Sequence, residues 1–214
     1  MFKDRIDAGY ALAQRLLKYK NTEGAVLAVP KGGVPLGYVV ANELGMPMEL
    51  ILSKKIGHPM HKEYAIGAVS LWGSFVVPHH DVSQSYIKQE TARIEQYLKR
   101  MQNKFMAGRA PADLKGKTVI VIDDGIATGN TLLATINMLR AQRPSKVIVA
   151  VPVSTQAGYN MLSKHCDELI SVIVERQYFP GVGFYYQNFE DVTEEEVIYY
   201  LEENKKKWHL LNNV

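Results

Sequence analysis

Two carboxylates stand side by side after an apolar run: the residues from Val119 to Ile122 lead into Asp123 and Asp124, then Gly125, Ile126, Ala127, Thr128, Gly129, Asn130 and Thr131. Such a run reads as a buried strand, which delivers both acids to its carboxyl end. The small residues that follow let backbone N–H groups converge on an anion. A helix opening at Asn130 adds the positive end of its dipole, and the hydroxyls of Thr128 and Thr131 can donate to phosphate oxygens. The acids cannot face a phosphate themselves, because like charges repel; they suit sugar hydroxyls, or indirect support of a hydrated divalent cation. Together these residues describe a ribose 5-phosphate site, against the plainer reading of a turn followed by a helix cap. There is no GxxxxGK[ST] loop, and Gly181 and Gly183 lack the third glycine and the strand–helix setting of a dinucleotide fingerprint.

The elements that must position this segment follow from periodicity. Ile6, Tyr10, Ala13, Leu16 and Leu17 recur at helical spacing, with Asp4 and Asp7 early and Lys18 and Lys20 late, which matches the helix dipole. A strand over 25–29 ends at Pro30, Lys31, Gly32 and Gly33, a helix over 35–44 stops at Gly45, and a strand over 48–53 completes a βαβ unit. The spacing predicts a polar loop over 54–66, a hairpin over 67–77 turning at Trp72, Gly73 and Ser74, and one long surface helix over 82–107. Alternation then resumes: strand 118–122, helix 130–140, strand 146–151, helix 156–164, strand 168–174. An aromatic stretch over 175–189 precedes an acidic segment in which Thr193 and Glu196 form a capping box for a last helix. The expected fold is α/β, a central mostly parallel sheet flanked by helices, in one domain over 1–214 with a small hood and C-terminal helix over 175–214.

At 214 residues, 47% hydrophobic and 22% charged, the chain is neither disordered nor fibrous. Its longest apolar run, 147–153, is seven residues and contains a proline, too short to span a membrane. The N-terminus reads as neither a secretory signal nor a transit peptide, and a single cysteine, Cys166, agrees with a reducing cytoplasm. A net charge of +3 is too mild to imply nucleic acid.

The run of four apolar residues, two acids and a small-residue loop ending in Thr-Gly and a hydroxyl residue resembles the type I phosphoribosyltransferases. Val119 to Thr131 matches that hallmark, departing at Asn130, where many members carry glycine or another small residue. The resemblance extends to Lys31, Gly32 and Gly33 as a pyrophosphate loop, and to 54–67 as a mobile catalytic loop. The stretch from Lys55 to Val69 is similar to a poorly characterised branch of the family. The resemblance implies a Rossmann-like core and magnesium-assisted transfer of ribose 5-phosphate from 5-phosphoribosyl 1-diphosphate to a nitrogen nucleophile, with release of pyrophosphate. It implies that Asp123 through Thr131 hold the donor; Lys54, Lys55 or both are candidates to bring further positive charge, and Glu63 is a candidate loop anchor or acid–base group. No residue is assigned as a direct metal ligand, and His58, His61, His79 and His80 are not expected to form a zinc site. A homodimer is compatible with this reading.

The acceptor is expected at the hood, where Tyr178, Phe179, Phe184, Tyr185 and Tyr186 could stack on a heterocycle. Hypoxanthine, adenine, uracil, orotate and non-nucleobase acceptors all stay open. A regulator that binds the donor or a nucleotide without turnover is the alternative. A hydrolase using Asp123 as nucleophile is weaker, because such enzymes usually need a DxD spacing.

Overall fold

The computed structural model describes residues 1–61, 64–77, 80–108 and 111–212. Helix α1 (Arg5–Leu16) is capped by Asp4, whose carboxylate accepts the amide of Asp7 at 2.9 Å. Strand β1 (Gly24–Ala28), helix α2 (Gly33–Leu44) and strand β2 (Met48–Leu50) make the first βαβ unit, and α2 ends at Gly45 in a left-handed turn with φ 69°. Strand β6 (Thr118–Ile122), helix α4 (Asn130–Ala141), strand β7 (Lys146–Thr155), helix α5 (Gln156–Leu162) and strand β8 (Glu168–Glu175) continue the winding. The five strands form one parallel sheet in the order β2-β1-β6-β7-β8.

Both faces of this sheet are covered, which is why its strands read as unbroken apolar runs. Val26, Ile120, Ile122 and Ile148 face a core shared with Leu12 and Leu16 of α1 and Leu36 and Val40 of α2. The alternate residues, Leu27, Val119, Val121 and Val149, face a second core with Leu132 and Ile136 of α4 and Leu162 of α5. The last helix, α6 (Glu194–Asn212), opens with the expected box: Thr193 N–H donates to Glu196 at 2.8 Å and Glu196 N–H to the Thr193 hydroxyl at 3.1 Å. Asn204 of α6, buried, accepts the Met48 amide at 2.7 Å and so ties this helix to the edge strand. No described helix is long and apolar enough to cross a membrane.

The segment expected as a polar loop over 54–66 is paired as strand at both ends. Ser53–Gly57 is β3, pairing antiparallel with β4 (Ala65–Ser70), which pairs in turn with β5 (Gly73–Val76). Ile56 and Ile66, both fully buried, anchor this ribbon in the core that it shares with α3 (Gln84–Met106). Strand β7 also runs four residues past its expected end, because Pro152 lies beyond the last β6–β7 partners, Ile122 and Ala150. There the missing N–H is no longer required by β6.

Candidate active site

The extension of β7 holds the loop that follows β6. Ile126 donates its amide to Val153 O and accepts from Thr155 N–H, both at 2.9 Å, so the loop is bonded to β7 as an extra bridge. Thr155 then turns its hydroxyl onto Ala127 O at 2.6 Å while accepting the Gly158 amide at 2.9 Å. Ile126 is buried; Ala127, Thr128, Asn130 and Thr131 are exposed. Gly129 adopts φ 78°, a left-handed conformation, and a Cβ there would meet Met161 Cε at 2.9 Å. The first intrahelical bond after it runs from Leu133 N–H to Gly129 O, so the preceding amides point off the N-terminus of α4. This is an anion cradle with two hydroxyls at its rim.

Asp123 and Asp124 stand half-buried at the head of the same loop, in unlike surroundings. Burial, and then the charge of Asp124, push the Asp123 carboxyl up to about 8; the Asp124 N–H that Asp123 accepts at 2.9 Å and the charge of Arg5 pull the other way. Asp124 is ion-paired: Arg5 Nη2 and Nε lie 3.0 and 3.3 Å from its Oδ2. The Arg5 guanidinium also donates to Glu190 O at 2.6 Å and lies 3.9 Å from the centroid of the Phe189 ring. Tyr186 donates its hydroxyl to Asp124 O at 2.7 Å; burial, then the charge of Asp124, hold that phenol above its ordinary range.

Lys31, Gly32 and Gly33 abut this pair from the end of β1, across a cis Pro30–Lys31 bond. A Cβ on Gly32 would fall 1.9 Å from Asp124 Oδ2, so the carboxylate occupies the space where any other residue would carry a side chain. A Cβ on Gly33 would likewise fall 2.6 Å from Ile122 O. Lys31 is exposed and lines, with Pro30, Leu52, Tyr97, Met101 and Thr131, a cavity of about 290 Å³. The structure thus brings the two glycine-bearing segments together at the carboxyl ends of β1 and β6, where open α/β sheets carry their ligands.

The catalytic-loop candidates are placed differently from expectation. Lys54 and Lys55 lie on β3, opposite Val69 and Ala68, and Lys54 Nζ sits 4.5 Å from the centroid of the Tyr97 ring on α3. His58 is buried and bonded to Asp81 at 3.0 Å, with its ring stacked on His61 at 5.7 Å. Glu63, Lys62 and His79 lie outside the described residues. Of the five hood aromatics, Tyr185 and Tyr186 are buried and Phe179 packs against them, leaving Tyr178 and Phe184 exposed. The N-terminus reaches this hood directly: Phe2 donates to Tyr185 O and accepts from Gln187 N–H, both at 2.8 Å. Arg5, Phe189 and the Tyr186 hydroxyl were not legible beforehand, since Arg5 and Asp124 are 119 positions apart.

Among the described residues no group of three or more His, Cys, Asp or Glu could cage a metal ion. Two carboxylates at one strand end fit outer-shell support of a hydrated divalent cation.

A doubly wound parallel sheet with an acid pair and an anion loop at its carboxyl edge defines a nucleotide- or sugar-phosphate-binding class. Residues 3–187 match the phosphoribosyl transferase domain, and the chain belongs to that family. It is 33% identical over 209 residues to a Mycobacterium tuberculosis protein assigned by name to the phosphoribosyl transferases, a match covering 94% of this chain and 46% of that protein. The chain therefore spans about half the length of the curated relatives it matches. The crystal structure of TT1426 from Thermus thermophilus is 34% identical, with a TM-score of 0.86 over 94% of this chain and 98% of that one. A uracil phosphoribosyltransferase of Mycoplasma genitalium is 29% identical over 106 residues, 46% of this chain and 47% of that protein.

Proposed function

We propose that the chain transfers ribose 5-phosphate from 5-phosphoribosyl 1-diphosphate to a nitrogen acceptor, a nucleobase or related heterocycle, releasing pyrophosphate. The observation that carries this reading is the junction of the loop from Asp123 to Thr131 with the turn from Lys31 to Gly33. In this reading the amides entering α4, with the Thr128 and Thr131 hydroxyls, hold the 5-phosphate. Asp123 accepts from the ribose hydroxyls. Lys31 and the backbone of Gly32 and Gly33 receive the diphosphate. Magnesium bound to the donor supplies positive charge against the charge that develops on the departing pyrophosphate. Lys54 and Lys55 add to this from β3, with Glu63 as loop anchor or acid–base group.

Departure of pyrophosphate leaves an oxocarbenium-like sugar, so the site must exclude water while the acceptor approaches from the face opposite Lys31. The exposed rings of Tyr178 and Phe184 in the hood are the stacking surfaces for that acceptor. The single cysteine agrees with a reducing cytoplasm as the compartment.

Calorimetry with 5-phosphoribosyl 1-diphosphate and magnesium, followed by pyrophosphate release against a panel of bases, tests the proposal. The expected result is saturable donor binding and release with at least one heterocycle. A folded chain that binds no donor at millimolar concentration overturns the assignment; donor binding without release from any acceptor favours a regulator.

A further inference from the structure

The two acids of the loop are not equivalent, and what separates them is Arg5. Its guanidinium is buried, with three partners on two segments: Asp124 Oδ2 on one, the Glu190 carbonyl and the face of Phe189 on the other. A carboxylate oxygen gripped from two nitrogens has little freedom to turn toward a sugar. That same Oδ2 fills the place a Gly32 side chain would take, within the turn assigned to the diphosphate. Asp123 has no such clamp, its described bond being to the Asp124 amide.

We propose that Arg5 is a positioning residue of the donor site: by holding Asp124 against Gly32 it sets the diphosphate-binding turn, and it leaves ribose recognition to Asp123. The inference rests on the donor-site reading above. It also gives the hood a route to the donor, because Phe189 and Glu190 fix the guanidinium from the acceptor side. Losing the charge of Arg5 frees Asp124 to swing and to repel the incoming diphosphate, whereas the cradle for the 5-phosphate, held by β7 through Ile126, keeps its bonds.

The test compares two ligands that share ribose and 5-phosphate and differ only by the diphosphate: 5-phosphoribosyl 1-diphosphate with magnesium, and ribose 5-phosphate. In Arg5→Met the first should weaken by about tenfold to a hundredfold, as for loss of one charge-assisted hydrogen bond, and the second by no more than about threefold. Arg5→Lys, which keeps the charge but not the fork, should recover part of the loss. Asp124→Asn, which carries no charge to repel the diphosphate, should lose less of the first ligand than Arg5→Met, and Asp123→Asn should weaken both ligands alike. If Arg5→Met does not fold, Arg5→Lys and Phe189→Leu carry the same comparison, each with a smaller selective loss of the diphosphate ligand. Equal losses for both ligands, or no loss, in a protein whose wild type binds the donor overturn the role of Arg5. A wild type that binds neither ligand overturns the donor-site reading instead.

Discussion

Replacing Asp123 by asparagine should stabilise the ligand-free protein, and by an amount that grows with pH. Its carboxyl is pushed from 3.8 up to about 8, chiefly by burial and then by the charge of Asp124. Below pH ~4 the carboxyl is protonated folded or unfolded and contributes nothing; between ~4 and ~8 the unfolded chain releases the proton first, so wild-type stability falls as pH rises; above ~8 the full cost is present. About four units at ~1.4 kcal/mol each would give an upper limit near 6 kcal/mol. For a domain of this size that limit is roughly 12–24 °C in Tm. Asparagine keeps the acceptor for the Asp124 amide and carries no charge, so the substitution isolates the ionisation. Scanning calorimetry at pH 5 to 9 should show the melting point of Asp123→Asn pulling ahead of wild type up to pH ~8 and then running parallel. A gap that stays constant over the whole range would refute the reasoning.

Thr128→Val should weaken ribose 5-phosphate binding by about tenfold, leaving the fold intact because the side chain is exposed; calorimetric titration measures it. Asn204→Ala strips the partner from the Met48 amide and from Asn42, and should lower the urea midpoint by an amount equivalent to about 2–3 kcal/mol. Lys55→Ala should reduce turnover more than donor affinity, which steady-state kinetics beside equilibrium binding would separate; an equal effect on both would place Lys55 in ground-state binding.

The parallel sheet and the anion loop were readable because their causes are local. Val119 to Ile122 must be buried on both faces, and beside the buried Ile126 the loop residues Gly125, Ala127, Thr128 and Gly129 have no large side chain to block their amides. Gly45 and the pair Thr193 and Glu196 punctuate helices by rules that span a few residues. The hairpin over 67–77 is present as β4 and β5, whereas β3 is hidden because Lys54, Lys55 and Gly57 imitate a loop in composition, while the residues that anchor the pairing, Ile56 and Ile66, act only through helices elsewhere in the chain. The same holds for the hood, where exposure separates Phe184 from Tyr185, and no spacing rule distinguishes two neighbouring aromatics. Arg5 carries no sequence signal at all, since its meaning depends on partners at Asp124 and Glu190.

Those partners set the order in which the molecule can be completed. Arg5 and Glu190 are 185 residues apart, and the bonds of Phe2 to Tyr185 and Gln187 close a ring of nearly the same length. Emerging from the ribosome, the first helix must wait for 119 further residues before its arginine meets Asp124 and for 185 before it meets Glu190. Contacts of such long sequence separation form late, after the loop-closure entropy has been met. Recovery of binding to the diphosphate-bearing ligand should therefore lag behind recovery of helical signal when the denatured chain is refolded, and a nascent chain released before Glu190 will carry the phosphate loop without the clamp on its second acid.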